Sequence, residues 1–570
     1  MANQTDTRTP EEAPQDHSPQ RAARSSAGMA VGTLASRILG FIKGIILGVA
    51  VGGTVVANVF DSANQVPNVI YILIAGGVFN VVLIPQIVKA SKLPDRGADY
   101  ISRLLTLGIA VLLVLTVVVT VLAGPLTHLL TQGYSPGQMR VAIAFTTLLL
   151  PQIFFYGLYS LLGQVLNAHN SFAAYAWAPV VNNIVAIGGL LAFIAVAGSA
   201  GSTEHTIDNW SSSQTLLLAG TATLGIVVQS MVLIWPVKKL GLKLKPTFGF
   251  RGTGLGATGR IAGWSMATMV VGNLSFLLIG KIATIATGAQ SDGAVSAQSS
   301  IAGSFALNRA TEVYIMPHSV IALSIATVLF TQMSRAAANH DTAGVRLALS
   351  RALRATGVAT IFAAVALLVL AGPFGMLFGG DKEYAGRQVA ITLAILAMGS
   401  PFLSINFILN RVFYAAENAK TPFFIQSILV VFGVGSALLA ATFPPSMIIY
   451  ALAASYTVGN AIAVVVSHFF LKAKIGDYGG AGIVRAHARF LAAALVAGGA
   501  GDVVLWMMGG FTGGGFPWQS IENAAVTLAV VGTLMAAVYL AMLKLMRVQE
   551  LDDLLGPLLG KLRGRVPGLR

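Results

Sequence analysis

Residues 28–52 read GMAVGTLASRILGFIKGIILGVAVG, an apolar stretch interrupted by two basic residues. An α-helix rises 1.5 Å per residue, so this stretch is long enough to cross about 30 Å of hydrocarbon. Comparable stretches follow at 59–89, 103–125, 140–166, 172–197, 214–236, 259–287, 295–333, 350–378, 387–415, 422–442, 446–471, 485–509 and 521–545. The sequence therefore predicts an all-α polytopic membrane protein with about 14 transmembrane helices.

The composition supports this class and excludes several others. Of the 570 residues, 55% are hydrophobic and only 10% are charged, whereas soluble domains carry roughly 25% charged residues. The net charge of +15 fits basic cytoplasmic loops facing anionic membrane lipids better than it fits nucleic-acid binding. There is no cysteine, which excludes disulfides and thiolate chemistry. Because no catalytic or metal-binding motif occurs, we predict no catalytic residue, no metal and no cofactor.

Basic residues alternate between the two predicted sides of the membrane. The loop after the sixth span holds Lys238, Lys239, Lys243, Lys245 and Arg251, and both terminal segments are basic. The opposite loops combine a few cations with Glu204, Asp208, Asp292, Asp381 and Glu383. Lys and Arg concentrate on the cytoplasmic side of membrane proteins. Both termini are therefore predicted to lie in the cytoplasm.

Two sequence patterns recur at nearly the same offset. VLxxQxxKA at 82–90 matches VLxxQxxRA at 328–336, and QVLNA at 164–168 matches RVFYA at 411–415. Six helices per copy would give both copies the same orientation, as in transporters with parallel repeats. We predict a disordered tail at 1–27, two six-helix lobes at 28–240 and 241–472, a two-helix hairpin at 473–547 and a basic tail at 548–570.

Polar residues inside the predicted spans mark a candidate cavity. Arg37 and Lys43 lie near the middle of the first span, where a central cation costs at least about 2.5–3.5 kcal/mol. They either reach an interface by snorkelling or line a wet cavity and bind an anion. Arg309 and Glu312 share a helix face in the eighth span, either as a structural salt bridge or as part of that cavity. The second span adds Asn58, Asn64 and Tyr71 as candidate lining residues.

A stripe of small residues runs along the first span. Its members recur at every fourth position, and they are Gly28, Gly32, Ser36, Gly40, Gly44 and Gly48. Such stripes let helices approach backbone to backbone in lipid. We expect the stripe to serve tight packing, movement between helices, or both.

Several segments, in this order, resemble the MurJ/MviN family of lipid II flippases, within the multidrug/oligosaccharidyl-lipid/polysaccharide exporter superfamily. They are SRILGF at 36–41, ANQVPN at 63–68 leading into GGV at 76–78, LNAHN at 166–170, NRATE at 308–312 and NRVFYA at 410–415. The sequence from Asn64 to Gly77 resembles that of the high-GC Gram-positive branch of this family. The resemblance spans about residues 28–545.

The resemblance implies two lobes around a cavity whose cations hold the diphosphate of an undecaprenyl-linked sugar-pentapeptide, the peptidoglycan precursor. It transfers functional roles to Ser36, Arg37, Arg309 and Glu312, and it implies that the last two helices form a groove for the lipid tail. Candidate partners are lipid II, membrane lipids, and cell-division and cell-wall synthesis proteins.

This chain departs from the family at several positions. Lys43-Gly44 stands where most members have Arg-Asp, Asn58 replaces an acidic residue and Tyr71 replaces an arginine. Lys43 keeps the charge without the bidentate fork.

We thus predict a lipid II flippase and not an enzyme. The alternatives are another exporter of the superfamily, for a polysaccharide unit or for drugs in exchange for cations, a membrane glycosyltransferase, and a non-transporting scaffold. A drug exporter would favour acidic cavity residues, and a glycosyltransferase needs an acidic motif in an early outer loop, where Gly52–Asn58 has none.

Overall fold

The computed structural model describes residues 19–73, 97–248, 259–290 and 301–551, together with 87, 90 and 95. Its α-helices, in chain order, are α1 (Pro19–Val51), α2 (Val55–Tyr71), α3 (Ala98–Val121), α4 (Ala123–Leu130), α5 (Pro136–Leu149), α6 (Gln152–Ala168), α7 (Phe172–Ala197), α8 (Ser212–Thr215), α9 (Thr221–Met231), α10 (Ile234–Lys239), α11 (Gly259–Gly288), α12 (Ser304–Pro317), α13 (Leu323–Ala338), α14 (Thr342–Val369), α15 (Ala371–Phe378), α16 (Glu383–Ala397), α17 (Ser400–Ala415), α18 (Lys420–Ala440), α19 (Pro445–Ile475), α20 (Gly480–Met507), α21 (Phe516–Gln519) and α22 (Ile521–Leu545). Short π-helical segments, Leu216–Gly220 and His318–Ala322, join α8 to α9 and α12 to α13.

The predicted membrane spans are present in this arrangement. Within the described ranges, 11 helices are long and apolar enough to cross a membrane, and two bent helix pairs raise the number to 13. The bent pairs are Ser304–Ala326 with Leu329–Ala338, and α16 with α17. The remaining predicted span, 59–89, begins in α2 and continues into residues outside the described part. The prediction of a polytopic, all-α protein with about 14 transmembrane helices is confirmed.

The N-terminal boundary differs from the prediction. α1 begins at Pro19, so residues 19–27 are helical although their composition predicted a disordered tail. A helix that is already nucleated adds residues at little cost, which allows a polar segment to extend it. Residues 1–18 and the C-terminal tail from 552 onward lie outside the described residues.

The repeat is visible in the order and breaks of the helices. In each lobe a long helix is followed at once by a short one that starts with Ala-Gly-Pro, namely α4 at Ala123 and α15 at Ala371. The next span is broken in both lobes, between α5 and α6 and between α16 and α17. The turns after α6 and α17 also match, since Asn170 and Glu417 both adopt positive φ, at 60° and 52°.

The glycine stripe of α1 packs against both lobes. A Cβ at Gly32 would lie 3.0 Å from the indole of Trp177 in α7, whereas a Cβ at Gly48 would lie 2.4 Å from the carbonyl oxygen of Phe378 in α15. An α-helix advances 100° per residue, so these two positions point about 160° apart. A stripe with four-residue spacing therefore winds around the helix, and its two ends contact different lobes.

The two lobes are joined at the end of the molecule where α1 terminates. The Tyr384 hydroxyl donates a hydrogen bond to the Gly53 carbonyl at 2.9 Å, and the backbone N–H of Gln132 donates to the Thr284 hydroxyl at 2.8 Å. Gly380, with φ of 62°, has no room for a Cβ because the Gly48 carbonyl oxygen would lie 2.2 Å away. Backbone contact of this kind closes this end of the interface.

The C-terminal hairpin packs on the second lobe. The Tyr539 hydroxyl of α22 donates to the Val358 carbonyl of α14 at 2.6 Å, and its ring stacks on Phe362 with 4.6 Å between centroids. α20 packs against the same helix through buried small residues, Ala493, Ala494 and Ala497. The hairpin is thereby attached to α14 as a unit.

Candidate functional site

An ion cluster joins the two lobes at the contact of α2 with α12. Arg309 of α12 donates to Glu312 Oε2 at 2.8 Å, and its other terminal nitrogen lies 3.3 Å from Asp61 Oδ2 of α2. The side chains of Arg309 and Asp61 are 7% and 2% exposed, whereas Glu312 is 47% exposed. The cluster therefore has a buried half, Arg309 with Asp61, and an exposed half, Glu312.

α1 contributes a second cation beside this cluster. Lys43 experiences the electrostatic field of Glu312, Arg309 and Asp61, but among the described residues none of its nitrogen–carboxylate distances falls within 4 Å. A Cβ on the adjacent Gly44 would lie 3.2 Å from both Arg309 Nη1 and Glu312 Oε2. α1 thus approaches the cluster through a position without a side chain, and the four charged groups sum to zero.

Arg309 is neutralised within the protein. Its sequence context left two interpretations open, a structural salt bridge with Glu312 and part of an anion-binding cavity, and here two carboxylates pair with its guanidinium. The physical reason is the high free energy of an unpaired charge in a buried site, which requires a partner of opposite sign. Its Nε has no hydrogen-bond partner within the described part of the chain. A substrate-binding role for Arg309 and Glu312 remains a prediction.

Polar side chains continue this contact along α2. Asn58 is buried; its amide nitrogen donates to Gln290 Oε1 at 3.0 Å and its amide oxygen accepts from the Phe305 backbone at 2.8 Å. Further along, Gln65 donates to Asn308 Oδ1 at 2.5 Å. Asn58 therefore holds the lobes together in this state, and its predicted role in substrate binding is untested.

Arg37 occupies a different environment from Arg309. Its guanidinium is half-buried and donates to the Ser319 hydroxyl at 2.5 Å, across the lobe interface. Ser319 belongs to the π-helical segment between α12 and α13. No carboxylate among the described residues lies within 4 Å of Arg37. Lys43 follows Arg37 by six positions, which corresponds to about 9 Å along α1, so the two cations lie at different levels of the helix.

The other predicted site residues lie outside the ion cluster. Ser36 accepts from Asn183 of α7 through its carbonyl at 2.8 Å, which ties α1 to its own lobe. Tyr71 stacks on Tyr156 of α6 with 5.7 Å between ring centroids. Asn64 is half-buried on α2. Their proposed contacts with substrate remain predictions.

Sequence reasoning did not select several residues that the structure brings to the interface. Asp61 stood out as an acidic residue in an apolar helix, but its partner is 248 residues away in sequence. Lys281 of α11 lines a small cavity of about 80 Å³ beside α2, together with Gln65 and Asn308. A lysine within the predicted span 259–287 was the available signal for this position.

The fold and this site define an integral membrane transporter with two repeated lobes. The family model described as lipid II flippase MurJ matches residues 48–547. The chain therefore belongs to the lipid II flippase MurJ family, which is a family of transporters.

Curated relatives and solved structures agree with this assignment. A probable lipid II flippase MurJ of Rhizobium meliloti is 26% identical over 396 residues, covering 67% of this chain and 68% of the relative. The lipid II flippase MurJ of Burkholderia cenocepacia is 27% identical over 379 residues, covering 64% and 68%.

A solved lipid II flippase MurJ in an inward closed conformation has a TM-score of 0.67 at 18% identity, covering 91% of this chain and 98% of that structure. An inward-facing multidrug resistance MATE transporter gives 0.63 at 15% identity, covering 79% and 98%. At these identities the structural likeness shows the fold.

Proposed function

We propose that this protein moves lipid II from the inner to the outer leaflet of the plasma membrane, as a step in peptidoglycan synthesis. Membership of the MurJ family and the two-lobe transporter fold support the substrate and the reaction. The undecaprenyl diphosphate of lipid II would enter the space between the lobes, and the sugar-pentapeptide would travel with it.

The observation that carries the proposal is the environment of Arg37. A half-buried guanidinium within a membrane span, bonded only to a neutral hydroxyl among the described residues, needs a counter-ion. A diphosphate supplies that charge, and an arginine can bind phosphate oxygens through two parallel hydrogen bonds. Because Arg37 and Ser319 belong to different lobes, a substrate bound there would contact both.

Alternating access would use the contacts at the end of α1. The charge pattern assigns this end to the outer side, so the joined lobes correspond to a transporter closed to the outside. Opening outward requires Gly48 to separate from Phe378 and Asp61 to separate from Arg309. An arriving diphosphate would offer Arg309 another anion and so favour that separation.

The remaining parts fit this cycle. The proposed lobes are residues 28–240 and 241–472, and the proposed hairpin, which contains α20 and α22, is residues 473–547. These two helices would guide the lipid tail. Both termini would lie in the cytoplasm. Cell-division and cell-wall synthesis proteins are the proposed partners. A drug/cation antiporter is less well supported, since Asp61 is already paired with Arg309 and offers no free carboxylate to a cation.

Complementation tests the role of Arg37. Arg37→Ala should lower the amount of lipid II in the outer leaflet about tenfold or more after the native copy is depleted, because a hydrogen bond to a charged group contributes about 1.5–3 kcal/mol. Arg37→Lys should retain part of the activity. Arg103→Ala, which removes an exposed pair with Asp99 on α3, serves as the matched control. Full outer-leaflet lipid II with Arg37→Ala would contradict the proposal.

A further inference from the structure

A second cavity lies inside the second lobe, away from the ion cluster. Its volume is about 290 Å³, near the lower end of the range for small-molecule sites. Its polar lining comes from α11, the π-helical segment His318–Ala322, α17 and α18, and includes Thr268, His318, Asn406, Asn410, Arg411 and Gln426. A cavity with this lining, inside a lobe of a membrane protein, is suited to a polar ligand.

Arg411 gives this cavity a positive charge. Its guanidinium lies 4.4 Å above the ring of Phe407, which also lines the cavity. No carboxylate in the described ranges lies within 4 Å of it. An arginine over an aromatic ring still presents N–H donors that can bind a planar anion such as a carboxylate.

Asn410, which lines the same cavity, carries a buried acceptor without a partner in the described part of the chain. Its amide nitrogen donates to the carbonyl and side-chain oxygens of Asn406 at 3.0 and 3.1 Å, which sets the orientation of the amide. The remaining oxygen, Oδ1, is buried and has no partner among the described residues. A buried acceptor without a donor is unfavourable, so a ligand that carries an N–H would satisfy it.

The equivalent place in the first lobe is filled. By the match of residues 164–168 with 411–415, Asn410 corresponds to Gly163 and Arg411 to Gln164. A Cβ on Gly163 would lie 2.1 Å from the Tyr175 ring, which stacks on Tyr159 at 4.7 Å. Aromatic packing thus occupies in one lobe the volume that polar residues leave open in the other, so the repeat alone does not require the cavity.

The cavity adjoins the proposed diphosphate site. His318 lines it and contacts Phe407 with 5.0 Å between ring centroids, while the next residue, Ser319, accepts from Arg37. One π-helical segment therefore separates the two cations, Arg37 and Arg411. A single extended ligand with two anionic groups can contact both.

We infer that this cavity binds the peptide portion of the lipid-linked substrate, with Arg411 holding a peptide carboxylate and Asn410 accepting a peptide N–H. The inference rests on the proposed function and names a second part of the same substrate. Diphosphate offers no N–H donor, whereas a peptide offers both a planar carboxylate and N–H groups. The chemistry of the two sites therefore assigns phosphate to Arg37 and peptide to Arg411.

Equilibrium binding to the full-length protein in lipid nanodiscs tests this assignment with three probes. These are undecaprenyl diphosphate, lipid II, and lipid II whose peptide carboxylates have been converted to amides. Arg411→Gln, which introduces the residue of the first lobe, should weaken lipid II binding about tenfold and leave the other two probes unchanged. Gln164→Ala, at the equivalent position, is the matched control and should change none of the three affinities.

The outcomes distinguish a failure of the peptide assignment from a failure of the proposed function. Equal weakening of lipid II and undecaprenyl diphosphate by Arg411→Gln would make Arg411 a phosphate contact and overturn the peptide assignment, as would unchanged lipid II affinity. If Arg411→Gln binds no probe, Asn410→Leu, which keeps the cation and removes the proposed N–H acceptor, should weaken lipid II and its amidated form alike and leave undecaprenyl diphosphate unchanged; unchanged binding of all three probes would overturn the peptide assignment. Failure of the unaltered protein to bind lipid II would instead overturn the proposed function.

Discussion

Replacing Asp61 by asparagine removes one of the two carboxylates that neutralise Arg309. Asp61 is 2% exposed and Arg309 is 7% exposed, and their atoms lie 3.3 Å apart. Breaking a buried ion pair by removing one partner costs about 3–5 kcal/mol. Glu312 keeps its 2.8 Å contact with Arg309, so we expect a value near the lower limit, about 3 kcal/mol.

This free energy acts on the balance between conformations, because Asp61 and Arg309 belong to different lobes. A loss of about 3 kcal/mol lowers the population of the joined state relative to separated states by about 150-fold. Arg309→Gln should have a similar effect, since it leaves Asp61 buried without its cation. The double variant should cost at least about 2 kcal/mol less than the sum, because neither Asp61 nor Arg309 is then left buried and charged without the other.

Distance measurements between spin labels check this expectation. The chain has no cysteine, so Asp208→Cys and Thr512→Cys, both at exposed positions on the closed end, can be labelled without further changes. Asp61→Asn should shift the distribution to longer distances, and adding Arg309→Gln should partly reverse the shift. An unchanged distribution, or strictly additive effects of the two substitutions, would refute the view that this pair holds the lobes together.

Two further predictions concern the closed end. Gly48→Ala should prevent the joined state and lower lipid II translocation at least tenfold, because its Cβ would lie 2.4 Å from the Phe378 carbonyl oxygen. Gly28→Ala is the control, and it should behave like the unaltered protein because there is open space around Gly28. Burial lowers the pKa of His205, in the loop after α7, below 6.5, and Lys382 lowers it further. As pH falls, His205 therefore takes up a proton in the unfolded chain at a higher pH than in the folded protein, so the melting temperature should fall as pH drops below about 6.5. His205→Phe should weaken this pH dependence of the melting temperature. The same pH dependence in both proteins would contradict the prediction.

The membrane spans were predictable because their cause is local. A stretch such as residues 28–52 must be helical in lipid, whatever its neighbours are, since every backbone group has to be hydrogen-bonded within the segment. The repeat was also readable, since QVLNA at 164–168 and RVFYA at 411–415 occupy the same place at the ends of α6 and α17. Arg37 could be selected for the same local reason, the cost of a cation in hydrocarbon.

The pairing of charges was not predictable from sequence. Arg309 and Glu312 are three residues apart on one helix, but Asp61 approaches from α2 only when the lobes pack. The cavity beside Arg411 depends in the same way on four separate segments of the chain.

The sequence by itself determined that the chain crosses the membrane as a repeated set of helices carrying cations at defined depths. Those properties follow from the hydropathy and helical rise of each segment. Tertiary structure alone decided which cations are paired with a carboxylate and which, among the described residues, are not. The reason is that electrostatic interactions depend on distances of a few ångströms between residues such as Asp61 and Arg309, and only the packing of the two lobes sets those distances.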